Sequence, residues 1–255
     1  MDILETIQQK LDEIEKKEHV RILHAVESGS RAWGFASPDS DYDVRFIYVR
    51  TEEDYLKLGK QRDVIEWQLD ETLDINGWDL QKALRLMHGS NPTLFEWCDS
   101  PVVYRTTELW QQISRQGSVY FSERAGFLHY LSMAKHNYQA YLTGETVRLK
   151  KYFYVLRPVL ACRWIQHRHS APPVAFGALS DSMLPAELRE TVAGLVEQKM
   201  QTPEFGTGTR VPLLHEYLER SLKELEQEAV QLPAAPEKDW ALLDRLFLEA
   251  VRAEG

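Results

Sequence analysis

The chain has 255 residues, 44% hydrophobic and 27% charged, with seven tryptophans. This is a globular composition, long enough for a sizeable core in one large or two smaller domains, and it excludes intrinsic disorder, collagen-like repeats and coiled-coil rods. The formal charge of −9 argues against a surface that grips nucleic acid by bulk attraction.

Ile3, Ile7, Leu11 and Ile14 recur at helical spacing, so an amphipathic helix is expected over 1–17 rather than a signal peptide. The stretch 20–26 is apolar and β-compatible, a largely buried strand ended by Gly29-Ser30. A short helical turn over 31–35 and a tight turn at Ala36-Ser37-Pro38-Asp39-Ser40 follow. The clearest strand is 41–49, with Tyr42, Val44, Phe46 and Tyr48 on one face and Asp41, Asp43, Arg45 and Ile47 on the other. Two more strands are expected at 64–69 and 72–76. A helix over 79–88 has Asp79 as N-cap and Gly89 as stop, and another begins at Asn91-Pro92.

From about residue 107 onward the periodicity is helical, over 108–116, 125–143, 146–166, 185–200, 213–229 and 238–252. Strands early and helices late read as an α+β fold, with a mixed domain over 1–116 and an all-helical domain over 117–255. No apolar run approaches the roughly 18–20 residues of a membrane span. Cys98 and Cys162 stand in no metal-ligand spacing. No membrane partner, reduced cysteines and a cytoplasmic location are therefore expected.

The chemistry concentrates between residues 29 and 45. A strand that ends in Gly-Ser before a helical turn offers free backbone N–H groups and a hydroxyl, an arrangement suited to a phosphate. Asp41 and Asp43 follow on one strand face, their Cβ atoms roughly 6–7 Å apart. Two carboxylates that close repel, and a hard divalent cation shared with substrate phosphates removes the penalty. Arg45, on the same face, either binds phosphate or balances the carboxylates. Further along, residues 124–180 hold eight basic side chains against Glu145 alone, between two acidic flanks. Lys150, Tyr154 and Arg157 fall at i, i+4 and i+7, one helix face with Lys151 beside it. That stripe either grasps a polyanion or pairs with the acidic flanks.

Gly29-Ser30, the turn and Ser40-Asp41-Tyr42-Asp43 resemble the signature of the DNA polymerase β-like nucleotidyltransferase superfamily. Several further stretches are similar to its RlaP family, nucleotidyltransferases associated with RNA ligases and RNA repair. They are Gly77-Trp78-Asp79-Leu80, Lys82-Ala83-Leu84, Ser90-Asn91-Pro92-Thr93, Glu96-Trp97 and Lys150-Lys151-Tyr152-Phe153-Tyr154, with Leu156-Arg157-Pro158 closing the last. The resemblance implies a palm-like catalytic sheet in 1–116 and a helical domain in 117–255 that contributes a triphosphate-binding helix. It implies an ATP-like NTP substrate and two magnesium ions, with manganese able to substitute. A nucleoside monophosphate would pass to a hydroxyl acceptor with release of pyrophosphate. An RNA 3′ end is the favoured acceptor, with a protein or a small molecule as the others.

Asp41, Asp43 and a third acid would hold metal, and the third would also receive the acceptor's proton. Asp74 is the best positional match, with Glu66 and Asp70 as competitors and Asp79 better suited to a helix cap. Gly29, Ser30, Arg31, Arg45, Lys150, Lys151, Tyr154 and Arg157 are the expected nucleotide contacts. A non-catalytic nucleotide sensor or nucleic-acid-binding regulator on the same fold is the alternative, and the placement of the third acid separates the two.

Overall fold

The computed structural model describes residues 2–59, 61–68, 72–201, 206–235 and 237–253. Helix α1 (Ile3–Glu18) leads into β1 (Arg21–Glu27), a five-residue α2 (Gly29–Trp33), β2 (Tyr42–Val49), a short α3 (Glu52–Leu56), β3 (Val64–Gln68) and β4 (Leu73–Asp79). Helices α4 (Leu80–His88) and α5 (Pro92–Cys98) precede an edge strand, β5 (Val103–Thr106). The sheet runs β3-β4-β2-β1-β5, with β2 and β4 parallel and every other pair antiparallel.

Each face of the sheet is covered because strand alternation sends apolar side chains both ways. Ala25, Val44 and Phe46 bury against Ile7, Leu11 and Ile14 of α1. Leu23, Val26 and Ile47 bury on the opposite side with Leu84, Trp97 and Trp110. Gly77 in β4 exists for this packing, since a Cβ there would sit 2.2 Å from the Phe46 ring.

After α6 (Glu108–Arg115) and α7 (Gly117–Tyr120), the chain forms α8 (Glu123–Tyr141), β6 (Thr146–Arg148), α9 (Lys151–Arg168), α10 (Phe176–Met183), α11 (Arg189–Gln201), β7 (Thr207–Thr209), α12 (Pro212–Ala229) and α13 (Ala241–Arg252). Helices α8 to α12 bury a second core that includes Phe127, Tyr130, Phe153, Leu156 and Leu218.

Three expectations change. Residues 146–148 pair with β7 as a small ladder, so the helix expected from 146 starts at Lys151. Helix α10 carries too few periodic apolar positions to announce itself. The division at residue 116 does not divide the cores, because Tyr120 and α13, through Leu243 and Leu246, pack with the sheet. Arg21 fastens that last helix by donating to the Ala250 carbonyl at 2.7 Å.

The quoted sequence blocks turn out to join the two cores. Ser90, at φ 59, accepts the Ser122 N–H at 2.5 Å where α8 begins, and Asn91 caps α5 through the Leu94 N–H. Trp97 stacks on Trp78 at 3.8 Å. Glu96 receives both the Arg157 guanidinium and the Tyr130 hydroxyl at 2.9 Å. From the sheet side, Phe35 inserts into the helical core against Phe153 and Phe176. The segment carrying Gly29-Ser30 is thereby held from both sides.

Candidate active site

The site forms where β1 hands over to α2 beside β2 and β4. The Ser28 N–H donates to the Asp43 carbonyl at 2.9 Å. Gly29 has φ +60, and a Cβ on it would lie 2.3 Å from Asp43 Oδ2. Only glycine both adopts that backbone and leaves room for the carboxylate. Ser30 follows half-buried in the first turn of α2.

Arg31 does not reach outward as a nucleotide contact. Its guanidinium donates to the Asp41 and Ser40 carbonyls at 3.1 and 2.7 Å and covers the Tyr42 ring. It fixes the turn that delivers the aspartates.

Asp41 is exposed just ahead of β2 rather than within it, and Asp43 is half-buried on the strand. In the parallel β2–β4 register Asp43 lies directly beside Asp74. Arg45 ties them together, its Nη2 2.9 Å from both Asp43 Oδ1 and Asp74 Oδ2. Its Nη1 donates to the Val44 and Asp74 carbonyls. Burial raises the Asp43 pKa above the usual aspartate range; Arg45 opposes that shift, and the charges of Asp74 and Asp41 add to it. All three expected carboxylates therefore act on one locality, and Arg45 supplies the balancing charge there.

Of the competitors for third acid, one is described. Glu66 is exposed on β3 and pairs with Arg62. Asp70 lies outside the described residues. Asp79 caps α4 through the Gln81 N–H and accepts the Tyr55 hydroxyl.

Glu27, at the end of β1, is a site residue that sequence reasoning missed. It is 1% exposed, accepts the Asp43 N–H at 2.8 Å through Oε1 and accepts the Tyr104 hydroxyl through Oε2. Burial raises its pKa, opposed by those two donors. An acid closing a largely apolar, buried strand was the available signal.

The basic stripe divides. Lys150 is exposed at the N-cap of α9. The Lys151 ammonium rests 4.1 Å from the Tyr141 ring centroid and 4.3 Å from that of Tyr154. Tyr154 is half-buried edge-on to Trp33, and the charges of Asp43 and Asp41 add to the burial that raises its pKa. Tyr154, in the first turn of α9, thus lies within charge range of the aspartates. Arg157 does not share that open face. Its side chain is 3% exposed and ion-paired with Glu96, with the guanidinium 4.8 Å from the Trp33 ring centroid.

Among the described residues no three His, Cys, Asp or Glu side chains are already arranged as a metal cage. The donor set nevertheless suits a hard dication, with carboxylate oxygens only and a local excess of negative charge that Arg45 partly offsets.

A Gly-Ser helix seated on paired strand aspartates places the protein among the polymerase β-like nucleotidyltransferases. Within that class the sequence matches the RNA repair pathway DNA polymerase beta family, RlaP, over residues 3–249, and the chain belongs to that family. It is 41% identical over 244 residues to the uncharacterized protein YcgL of Bacillus subtilis (strain 168), spanning 95% of this chain and 94% of that one. A crystal structure of a nucleotidyltransferase-like protein from Exiguobacterium sibiricum aligns over 96% of this chain and 87% of that one, at 14% identity and a TM-score of 0.31. That likeness is too slight to bear on the fold. Among the described residues no helix is long and apolar enough to cross a membrane.

Proposed function

We propose that the protein transfers a nucleoside monophosphate from an NTP to a hydroxyl acceptor, releasing pyrophosphate. The observation that carries this reading is the Asp43–Asp74 pair, side by side in register and seated on Gly29. Asp41, Asp43 and Asp74 are the residues to hold magnesium, or manganese in its place, which when bound supplies charge neutralisation at the attacking and leaving oxygens.

The chain's own groups do the rest. Gly29 and Ser30 offer backbone and hydroxyl donors to the phosphates, and Arg31 holds Asp41 in place. Lys150 and Lys151 face the anionic tail from the opposite wall. Asp74, half-exposed at the edge of the pair, takes the acceptor's proton directly or through water. Arg45 balances Asp43 and Asp74 until substrate arrives. An RNA 3′ end is the favoured acceptor because the family is described by RNA repair.

The test is incubation with each labelled NTP, magnesium or manganese, and RNA. Label transfer and pyrophosphate release, both abolished by Asp41→Ala and by Asp43→Asn, are expected. No turnover with any acceptor, together with salt-dependent RNA binding that ignores both changes, would replace the enzyme with a binding module.

A further inference from the structure

Between α10, α11 and the Trp33–Phe35 end of α2 lies a cavity of about 690 Å³, within the usual size range of small-molecule sites. Its floor is apolar, built from Trp33, Phe176, Val192 and Val196, and Asp181, Arg189 and Glu197 line it as well. These three are exposed, and two of them are acids. Such a rim discourages a polyanion from lying within the cavity.

The charge reverses at the end of α11. The Lys199 ammonium is buried at the end of α11, donates to the Phe35 carbonyl at 2.7 Å and lies close enough to Lys150 for their charges to interact. Helix α2 connects the two environments. Its first residue touches Asp43, and its last, Trp33, lines the cavity. Five residues of helix rise about 7 Å, roughly the reach from a nucleotide's phosphates across its ribose to the base. Trp33 is held in place, with Tyr154 at its edge and the ion-paired Arg157 at its ring.

We infer that this cavity receives the base of the NTP, so that the uncharged, planar end of the substrate lies on apolar and aromatic surface while its phosphates lie at Ser30 and Lys150. The assignment rests on the nucleotidyl-transfer reading and specifies its substrate end. Half-buried Ser180 and exposed Gln201 stand at the lining, the first donating to the Gly177 carbonyl and the second to Glu197. Turned toward a base edge, they place discrimination among bases in this cavity and not at the aspartate site.

The test compares binding of ATP, GTP, CTP, UTP and inorganic tripolyphosphate, with magnesium, by the wild type and by two cavity-filling variants on opposite walls, Ala193→Trp and Ser180→Trp. Circular dichroism and melting report their folding. The wild type should bind at least one NTP more tightly than tripolyphosphate. Each folded variant should bind that NTP about tenfold or more weakly, the scale of one lost base stack, with tripolyphosphate binding unchanged.

A wild type that binds NTPs no better than tripolyphosphate overturns the assignment without any variant. So do variants that keep NTP affinity but lose transfer, an outcome that would give the cavity to the acceptor. If the wild type binds neither NTPs nor tripolyphosphate, the nucleotidyl-transfer reading itself falls. NTP binding untouched by the variants removes only the cavity's role.

Discussion

Arg45, on the sheet side of the cleft, pairs with two carboxylates, and Arg157, on the helical side, pairs with one; their surroundings set them apart. Arg45 neutralises Asp43 and Asp74 at a margin where its side chain is 17% exposed and that of Asp74 50%. On the proposed reading, that margin is where a metal cation would replace it. Arg157 is enclosed, and its partner Glu96 comes from the sheet half of the molecule. Neither partner can be removed alone at that position without opening the joint between the two cores. The same ion-pair chemistry thus stays open to solvent at Arg45 and is closed from it at Arg157.

The largest expected effect lies on the fastening side. Arg157→Ala leaves Glu96 buried without its cation and should cost about 3–5 kcal/mol of stability, read from denaturant unfolding. Arg157→Met combined with Glu96→Leu should recover most of that loss. If Arg157→Ala instead leaves stability intact and selectively weakens NTP binding, the contrast between the two arginines is wrong.

Next comes Gly29→Ala, which forces a Cβ against Asp43 at a left-handed backbone position. It should cost about 1–3 kcal/mol and lower pyrophosphate release by more than that loss explains. Smaller still, Lys150→Ala and Lys151→Ala should stay within about 0.5 kcal/mol of wild-type stability while raising KM for the NTP more than they change kcat.

Two further effects are in pH. Burial pushes His24, between Trp97, Thr106 and Trp110, down to about 4. The unfolded chain therefore binds the extra proton, and stability should rise with pH between about 4 and 6.5. Burial and, secondarily, Lys150 push Lys199 down to about 8. Relative to Lys199→Met, the wild type should gain stability as pH climbs from about 8 to 10.5. Melting curves across both windows would sharpen the comparison, the first reporting on the sheet and the second on the joint with α11.

What the sequence disclosed follows the same division. Strand alternation put Asp43 and Arg45 on one face of β2, because period-two geometry fixes which side a residue takes. Asp41 falls just ahead of that strand, and Asp74 came from the family resemblance rather than from pattern. Helical spacing put Lys150, Tyr154 and Arg157 on one stripe, but spacing says nothing about what packs on that stripe. The cover comes from Glu96 and Trp33, far away in sequence. Edge strand β5 and the β6–β7 ladder were invisible because four and three residues carry too little pattern. The role of Glu27 depends on Tyr104 of β5 and on the Asp43 N–H, contacts that exist only once the sheet has formed.

The return of α13 to the sheet has a consequence for how the molecule is made. Leu243, Leu246 and Ala250 complete a hydrophobic layer whose other half, Leu23 and Val26, is synthesised more than two hundred residues earlier. During translation the part of that layer on α4 that α13 covers stays open until the last helix is made, and apolar surface left open in this way is what chaperones bind. A polypeptide halted before residue 241 would carry every proposed catalytic carboxylate and still be prone to aggregate.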